Sequence, residues 1–211
     1  MREINKGPEP KELTQYKVQP NAVYDGPNFT PVKQKIRKNL LSEQGVICAY
    51  CMDRITELTM KIEHWSCQHS SQELQLEYNN LLGCCKGHEG SRPLEQTCDT
   101  KKGSSSIKYS PANPEHRLNT KIQYSRDGKI LSSDDEFNQQ LDKILNLNKP
   151  RIISNRLHSI QKIQDLLNNK KGRRSKSEIR KLLNKILEKK DDGTYIPYYG
   201  AMVFYLESKL M

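Results

Sequence analysis

All six cysteines of this 211-residue chain fall between residues 48 and 98, as Cys48-x-x-Cys51, Cys67, Cys84-Cys85 and Cys98. If the distant pairs act together, the chain between them must double back on itself. A staple of that kind is needed, because apolar side chains make up only 34% of the residues, with eleven glycines besides. That total falls below the ~45–50% usual for a globular chain, and a modest core is a weak source of stability. The start, Met1-Arg2-Glu3-Ile4-Asn5-Lys6, lacks the apolar block of a secretory signal, and no apolar run approaches the ~20 residues of a membrane span. The expectation is a cytoplasmic chain with no membrane partner. In a reducing compartment these cysteines read as metal ligands rather than a disulfide framework. The expected set is Cys48, Cys51, Cys85 and Cys98 around one structural Zn²⁺, with thiolates at about 2.3 Å. Cys84 competes with Cys85, since only one of two adjacent side chains faces a metal.

The formal charge is +10, but it is unevenly placed. Residues 48–110 hold seven Lys and Arg against eight Asp and Glu, whereas residues 170–190 hold ten against two. A nucleic-acid footprint is therefore expected on that second stretch, above all at Lys170, Lys171, Arg173 and Arg174. Three segments follow: an N-terminal arm and helix over 1–45, a cysteine-rich core over 46–110, and a hairpin followed by helices over 111–211. Five prolines in residues 1–31 predict an extended arm. Val32, Ile36, Leu40 and Leu41 predict a helix capped at Thr30 and stopped by Gly45. Asp127-Gly128 predicts a hairpin of type I′, in which both central residues take positive φ. Helices are expected through Phe137–Leu145, through Leu157–Leu167 and after a capping box at Ser175-x-x-Glu178, with a last helix after Pro197. The fold class is α+β.

Glu63-His64 stands near the end of an alternating run, Leu58 to Trp65, that reads as a strand. A carboxylate beside a histidine offers a cation-binding oxygen next to a general base that works near neutral pH. Around it stand Asn80-Leu81-Leu82-Gly83-Cys84-Cys85 and Cys98-Asp99-Thr100-Lys101-Lys102. Together these residues resemble the HNH, or ββα-metal, nucleases. There an acid-His pair ends the first strand, an Asn lies in the connection, and a His or substitute follows the last zinc cysteine. This chain departs from the pattern in carrying Asp99 in place of that His, and in the twelve-residue insert between Cys85 and Cys98. With Arg2-x-Ile4-x-Lys6-Gly7-x-Glu9-Pro10 and Ile47-Cys48-Ala49-Tyr50-Cys51, the first half of the chain is similar to the HNH subunit of Septu anti-phage systems, including retron-linked ones.

The resemblance implies a zinc-stapled ββα-metal core that hydrolyses phosphodiester bonds. His64 would act as general base, and Glu63 and Asp99 would hold Mg²⁺ or a similar divalent ion. Asn80 would orient the histidine-bearing loop, with Asn79 as the competing position. Lys101 or Lys102 would contact a phosphate. Asp99 reads equally well as a helix N-cap. The implied partners are an ABC/SMC-like ATPase subunit and, in retron-linked systems, a reverse transcriptase with its RNA–DNA product. The alternative is a non-catalytic zinc module that anchors nucleic acid or the ATPase. A transcription-factor-like reader fits poorly, because it needs a basic zinc domain.

Overall fold

The computed structural model describes residues 1–169, 172 and 174–211; Lys170, Lys171 and Arg173, three of the expected nucleic-acid contacts, lie outside the described residues. The architecture is α+β, with eight α-helices and two small antiparallel sheets among the described residues. No helix among them is long and apolar enough to cross a membrane.

The proline-rich start forms an arm containing one short helix, α1 (Lys11–Lys17). The arm lies across the rest of the chain. Met1 is buried and its ammonium donates to Tyr124 Oη at 2.6 Å, while Ile4 N–H donates to the Pro111 carbonyl at 2.8 Å. Helix α2 (Phe29–Glu43) buries Phe29, Val32, Ile36 and Leu40 at helical spacing. It begins earlier than expected: Asn28, with φ +60°, precedes the first turn, so Thr30 lies inside the helix rather than at its cap.

Strands β1 (Met60–His64) and β2 (Leu81–Cys85) pair antiparallel, with Met60 opposite Cys85 and His64 opposite Leu81. A short helix, α3 (Cys98–Lys102), follows the insert. The Gln44 side chain extends this sheet: its amide donates to the Gly83 carbonyl at 2.7 Å and accepts from Gly83 N–H at 2.7 Å. A side-chain amide thus imitates a strand where α2 ends, which anchors that helix to β2.

After the one-turn helix α4 (Leu118–Lys121) come β3 (Ile122–Tyr124) and β4 (Ile130–Ser132). Their turn departs from type I′, because only Gly128, at φ +80°, takes the left-handed region. The bonds Gly128 N–H to Ser125 O and Ser125 N–H to Lys129 O make it a three-residue loop with a bulge at the glycine. Helix α5 (Asp135–Lys143) is capped by Asp134, which accepts from Phe137 N–H at 2.9 Å. Helix α6 (Pro150–Asn168) buries Ile152, Arg156, Ser159, Ile160 and Ile163 and leaves Leu157 partly exposed. Arg156 can enter the core because it donates to the carbonyls of Leu147 and Gly128, at 2.9 and 3.2 Å. The capping box of α7 (Lys176–Leu187) forms as expected, and α8 (Tyr199–Ser208) closes the chain.

The main apolar cluster takes Met1, Leu13 and Phe29 from the arm and α2, Tyr50 and Leu81 from the cysteine-rich segment, and Phe137 and Ile152 from beyond it. The three sequence segments therefore share one core. A second cluster packs α6, α7 and α8 against Ile47 and Met52, on either side of the first cysteine pair.

Candidate metal centre and adjoining cleft

Cys48, Cys51, Cys85 and Cys98 bring their sulfurs within 4.8 Å of one another, three of them buried and Cys85 half-buried. The closest pairs are Cys48–Cys98 at 3.9 Å and Cys51–Cys85 at 3.8 Å. Four thiolates at about 2.3 Å from a tetrahedral Zn²⁺ stand about 3.8 Å apart, so the donor set suits such an ion in identity and size. No disulfide joins these cysteines. Strand alternation explains the choice between neighbours: only Cys85 of the adjacent pair joins the cluster. Cys84 is fully buried, and burial, followed by the Cys48 sulfur, pushes its thiol well above the ordinary range.

The insert between Cys85 and Cys98 forms a closed loop. Thr97 N–H donates to Gly87 O at 2.9 Å, with Gly87 at φ +52°. A Cβ at that glycine would stand 2.0 Å from the Thr97 carbonyl, so no larger residue fits. Cys98 itself takes φ +53° and donates its N–H to Leu145 O at 2.9 Å. A left-handed conformation costs an L-residue about 1–2 kcal/mol. Here a hydrogen bond from the α5–α6 connection holds it.

Beside the cysteines, β1, α3, α2 and the residues before α2 enclose a cleft of about 380 Å³. Glu63, His64 and Asp99 line it together, with Lys61, Tyr24 and Arg37. Glu63 is buried; its Oε1 accepts from Tyr50 Oη at 2.9 Å and pairs with Lys102 Nζ at 2.8 Å. Asp99 Oδ2 pairs with Lys61 Nζ at 3.1 Å. Each carboxylate thus commits one oxygen and keeps the other for its neighbour or a cation. Burial, then the Asp99 carboxylate beside it, pushes the Glu63 acid well above the usual range, and Lys102 opposes the shift. Two crowded carboxylates resist ionising together, a penalty that a divalent cation bound by them would relieve. The donor set is all oxygen, which suits Mg²⁺.

The His64 ring is mostly buried, and Nε2 stands 2.9 Å from the Gln75 carbonyl. A carbonyl only accepts, so Nε2 carries the proton and Nδ1 is left as the basic nitrogen. Burial lowers the pKa of His64, with the Gln75 carbonyl acting in the opposite direction. The imidazole is therefore neutral, and able to take a proton, at neutral pH.

Asn80 is buried and stands outside the cleft, whereas Asn79 is exposed. Asn80 Oδ1 accepts from Ser66 N–H at 2.7 Å; its Nδ2 donates to Ser66 O at 3.0 Å and Leu74 O at 3.1 Å. It pins both ends of the loop that joins β1 to β2 and carries Gln75. Asp99 lies in the first turn of α3, and Thr97 occupies the cap position.

The expected phosphate contacts fare differently. Lys102 is a correction: its ammonium is fully buried, paired with Glu63 and donating to His64 O at 3.1 Å. It ties α3 to β1 and presents no surface to a phosphate. Lys101 Nζ donates to Pro93 O at 3.2 Å across the insert. Arg174 closes the end of α6, donating to Leu167 O and Leu166 O at 2.9 Å each and pairing with Glu178 at 3.4 Å. Most of its donors are already used. Sequence reasoning missed Tyr24, Arg37 and Gln75, whose relation to His64 arises only when the segment before α2 folds over the sheet. Tyr50 and Lys61 carried a fainter signal, one lying inside the first cysteine pair and the other two residues before Glu63.

Neither models of known protein families nor curated proteins match this chain.

Proposed function

We propose that the chain is a metal-dependent HNH endonuclease built on a zinc-stapled ββα-metal core, acting as the effector subunit of a Septu-type anti-phage complex. The observation that carries this reading is the convergence of Glu63, His64 and Asp99 on one cleft beside the four-cysteine cluster. The order β1, β2, α3 matches the strand, strand, helix order that the resemblance implies. The ATPase partner, and the reverse transcriptase with its RNA–DNA product in a retron-linked system, rest on the resemblance alone.

The reaction is hydrolysis of a nucleic-acid phosphodiester. His64 Nδ1 takes the proton of the attacking water, whose oxygen bonds to phosphorus as the bond to the leaving oxygen breaks. Glu63 and Asp99 would hold a divalent ion, which when bound would neutralise the charge that develops on the phosphate oxygens. The Gln75 carbonyl fixes the imidazole tautomer, and Asn80 fixes the loop that carries Gln75. Tyr50 and Lys102 hold the Glu63 carboxylate in place.

The test is cleavage of DNA and RNA by the purified chain, alone and with its ATPase partner, in the presence and absence of Mg²⁺ or Mn²⁺. His64→Ala should abolish cleavage while zinc content stays the same; intact cleavage would remove His64 from the mechanism. The alternative of a non-catalytic zinc module is favoured by one observation, the saturation of Glu63 Oε1 by Tyr50 and Lys102. Nucleic-acid binding without divalent-dependent cleavage would establish that alternative.

A further inference from the structure

Two buried donors at the edge of the cleft have no acceptor. Tyr24 Oη and Arg37 Nε are shut away from solvent and make no hydrogen bond. Both residues line the cleft that holds Glu63, His64 and Asp99. Neither belongs to β1, β2 or α3. Tyr24 precedes α2, and Arg37 lies on that helix one turn beyond Lys33.

Burial of an unpaired donor is costly, and most buried polar groups in folded proteins are paired. Two orphans in one cleft, both donors, therefore indicate an acceptor that the protein itself does not provide. The cations around the cleft sharpen the point. Lys33 pairs with Asp25 at 2.8 Å, and Lys61 pairs with Asp99 at 3.1 Å and Glu89 at 3.1 Å. Among the described residues, no carboxylate pairs with Arg37. A guanidinium left unpaired beside a reaction cleft is the group best suited to an oxyanion with several acceptor oxygens.

Tyr24 is also tied to the reacting histidine. Its ring meets the His64 ring edge-on, with centroids 4.4 Å apart. Its N–H donates to Gln75 Oε1 at 3.0 Å, and the same Gln75 receives His64 Nε2 on its carbonyl. Burial, then the Asp25 charge, pushes the Tyr24 phenol upward, so it stays an O–H donor throughout the physiological range.

We infer that Tyr24 and Arg37 form the phosphate grip of the cleft, donating from outside the ββα frame to oxygens of the substrate backbone beside His64. The inference rests on the nuclease reading for the identity of the ligand, a backbone phosphate of DNA or RNA. A small turn of each side chain into the cleft gives both orphans their acceptor.

The experiment measures binding of a fluorescein-labelled 20-nucleotide single strand, as DNA and as RNA, by the full chain. His64→Ala is the background, so no cleavage intervenes, and affinity is followed from 50 to 300 mM salt. Arg37→Gln should weaken binding about 3- to 30-fold and flatten the slope of log K against log[salt] by about 0.7, the value for one single-strand phosphate contact. Arg37→Lys should restore the slope. Tyr24→Phe should weaken binding with the slope unchanged, because a neutral donor displaces no counterion. Zinc content and melting temperature, measured on every variant, expose a folding defect. Unchanged affinity and slope in Arg37→Gln, or no measurable binding in the His64→Ala background, overturns the grip. The two readings fail separately: altered slopes without cleavage by the parent chain, alone or with its ATPase partner, refute the nuclease and keep the grip, whereas cleavage with unaltered slopes does the reverse.

Discussion

Exchanging Cys85 for alanine, and separately Cys84, distinguishes metal ligation from thiol packing at two adjacent positions. Cys85 Sγ lies 3.8 Å from Cys51 Sγ within the four-sulfur cluster, whereas Cys84 is a fully buried thiol outside it. A structural Zn²⁺ site contributes about 10–16 kcal/mol in zinc-finger peptides, comparable to the ~5–15 kcal/mol that holds a whole domain together. Losing one of four thiolates should therefore remove the ion and much of the stability of residues 46–110. Truncating Cys84 deletes one buried heavy atom, at a cost of about 1 kcal/mol. For a chain of this length that corresponds to about 2–4 °C in melting temperature. The assay is metal content by mass spectrometry together with thermal melts, with and without a chelator. Cys84→Ala should retain one zinc per chain and melt a few degrees lower. Cys85→Ala should lose the zinc and melt more than ~10 °C lower, as the parent should after chelation. Stoichiometric zinc in Cys85→Ala, or equal effects of the two exchanges, would refute the assignment of ligands.

Three further outcomes follow from the geometry. Asn80→Ala removes three hydrogen bonds to the β1–β2 loop; at about 1 kcal/mol each it should destabilise by about 2–3 kcal/mol in denaturant titration, whereas Asn79→Ala, at an exposed site, should be neutral. Gly87→Ala must adopt φ +52° with its Cβ on the Thr97 carbonyl, so it should cost more than ~3 kcal/mol and weaken zinc retention, read by the rate of zinc release to a chromogenic chelator. Lys108, then the Phe137 N–H, holds the Asp134 carboxyl down to about 2. A carboxylate depressed below its unfolded value of ~3.9 stabilises fully above that value and loses its contribution as pH falls toward 2; melts between pH 5 and pH 2 should show this loss in the parent and a smaller pH dependence in Asp134→Asn.

Local signals were legible where neighbours in sequence are also neighbours in space. The capping box at Ser175 and Glu178 and the turn at Gly128 both depend on residues within a few positions of one another. Even so, the hairpin chose a bulge where Asp127-Gly128 suggests type I′, because only the glycine accepts the left-handed region there. On α6 the hydropathic stripe pointed to Leu157, but Arg156 is buried instead. Carbonyls from the β3–β4 turn and the α5–α6 connection pay for burial of its charge, and they lie 28 and 9 residues away, respectively. Lys102 departs from the phosphate role that the resemblance implies for a similar reason: only the fold brings Glu63 against its ammonium and buries it.

Read alone, the sequence already holds the candidate donor types and their order: cysteines at spacings that fit a metal, and an acid-His pair followed by an Asn and an Asp. Those features are chemical identities and positions along the chain, which no packing can alter. What each group faces depends on the packed chain. It turned Cys85 rather than Cys84 into the sulfur cluster, made Asn80 a brace outside the cleft, and withdrew Lys102 and Arg174 into structural bonds. It also carried Tyr24 and Arg37 onto the cleft, next to His64. Which side chain keeps an unpaired donor depends on every acceptor within about 3 Å. Such distances are set by long-range packing of the arm and α2 over the sheet.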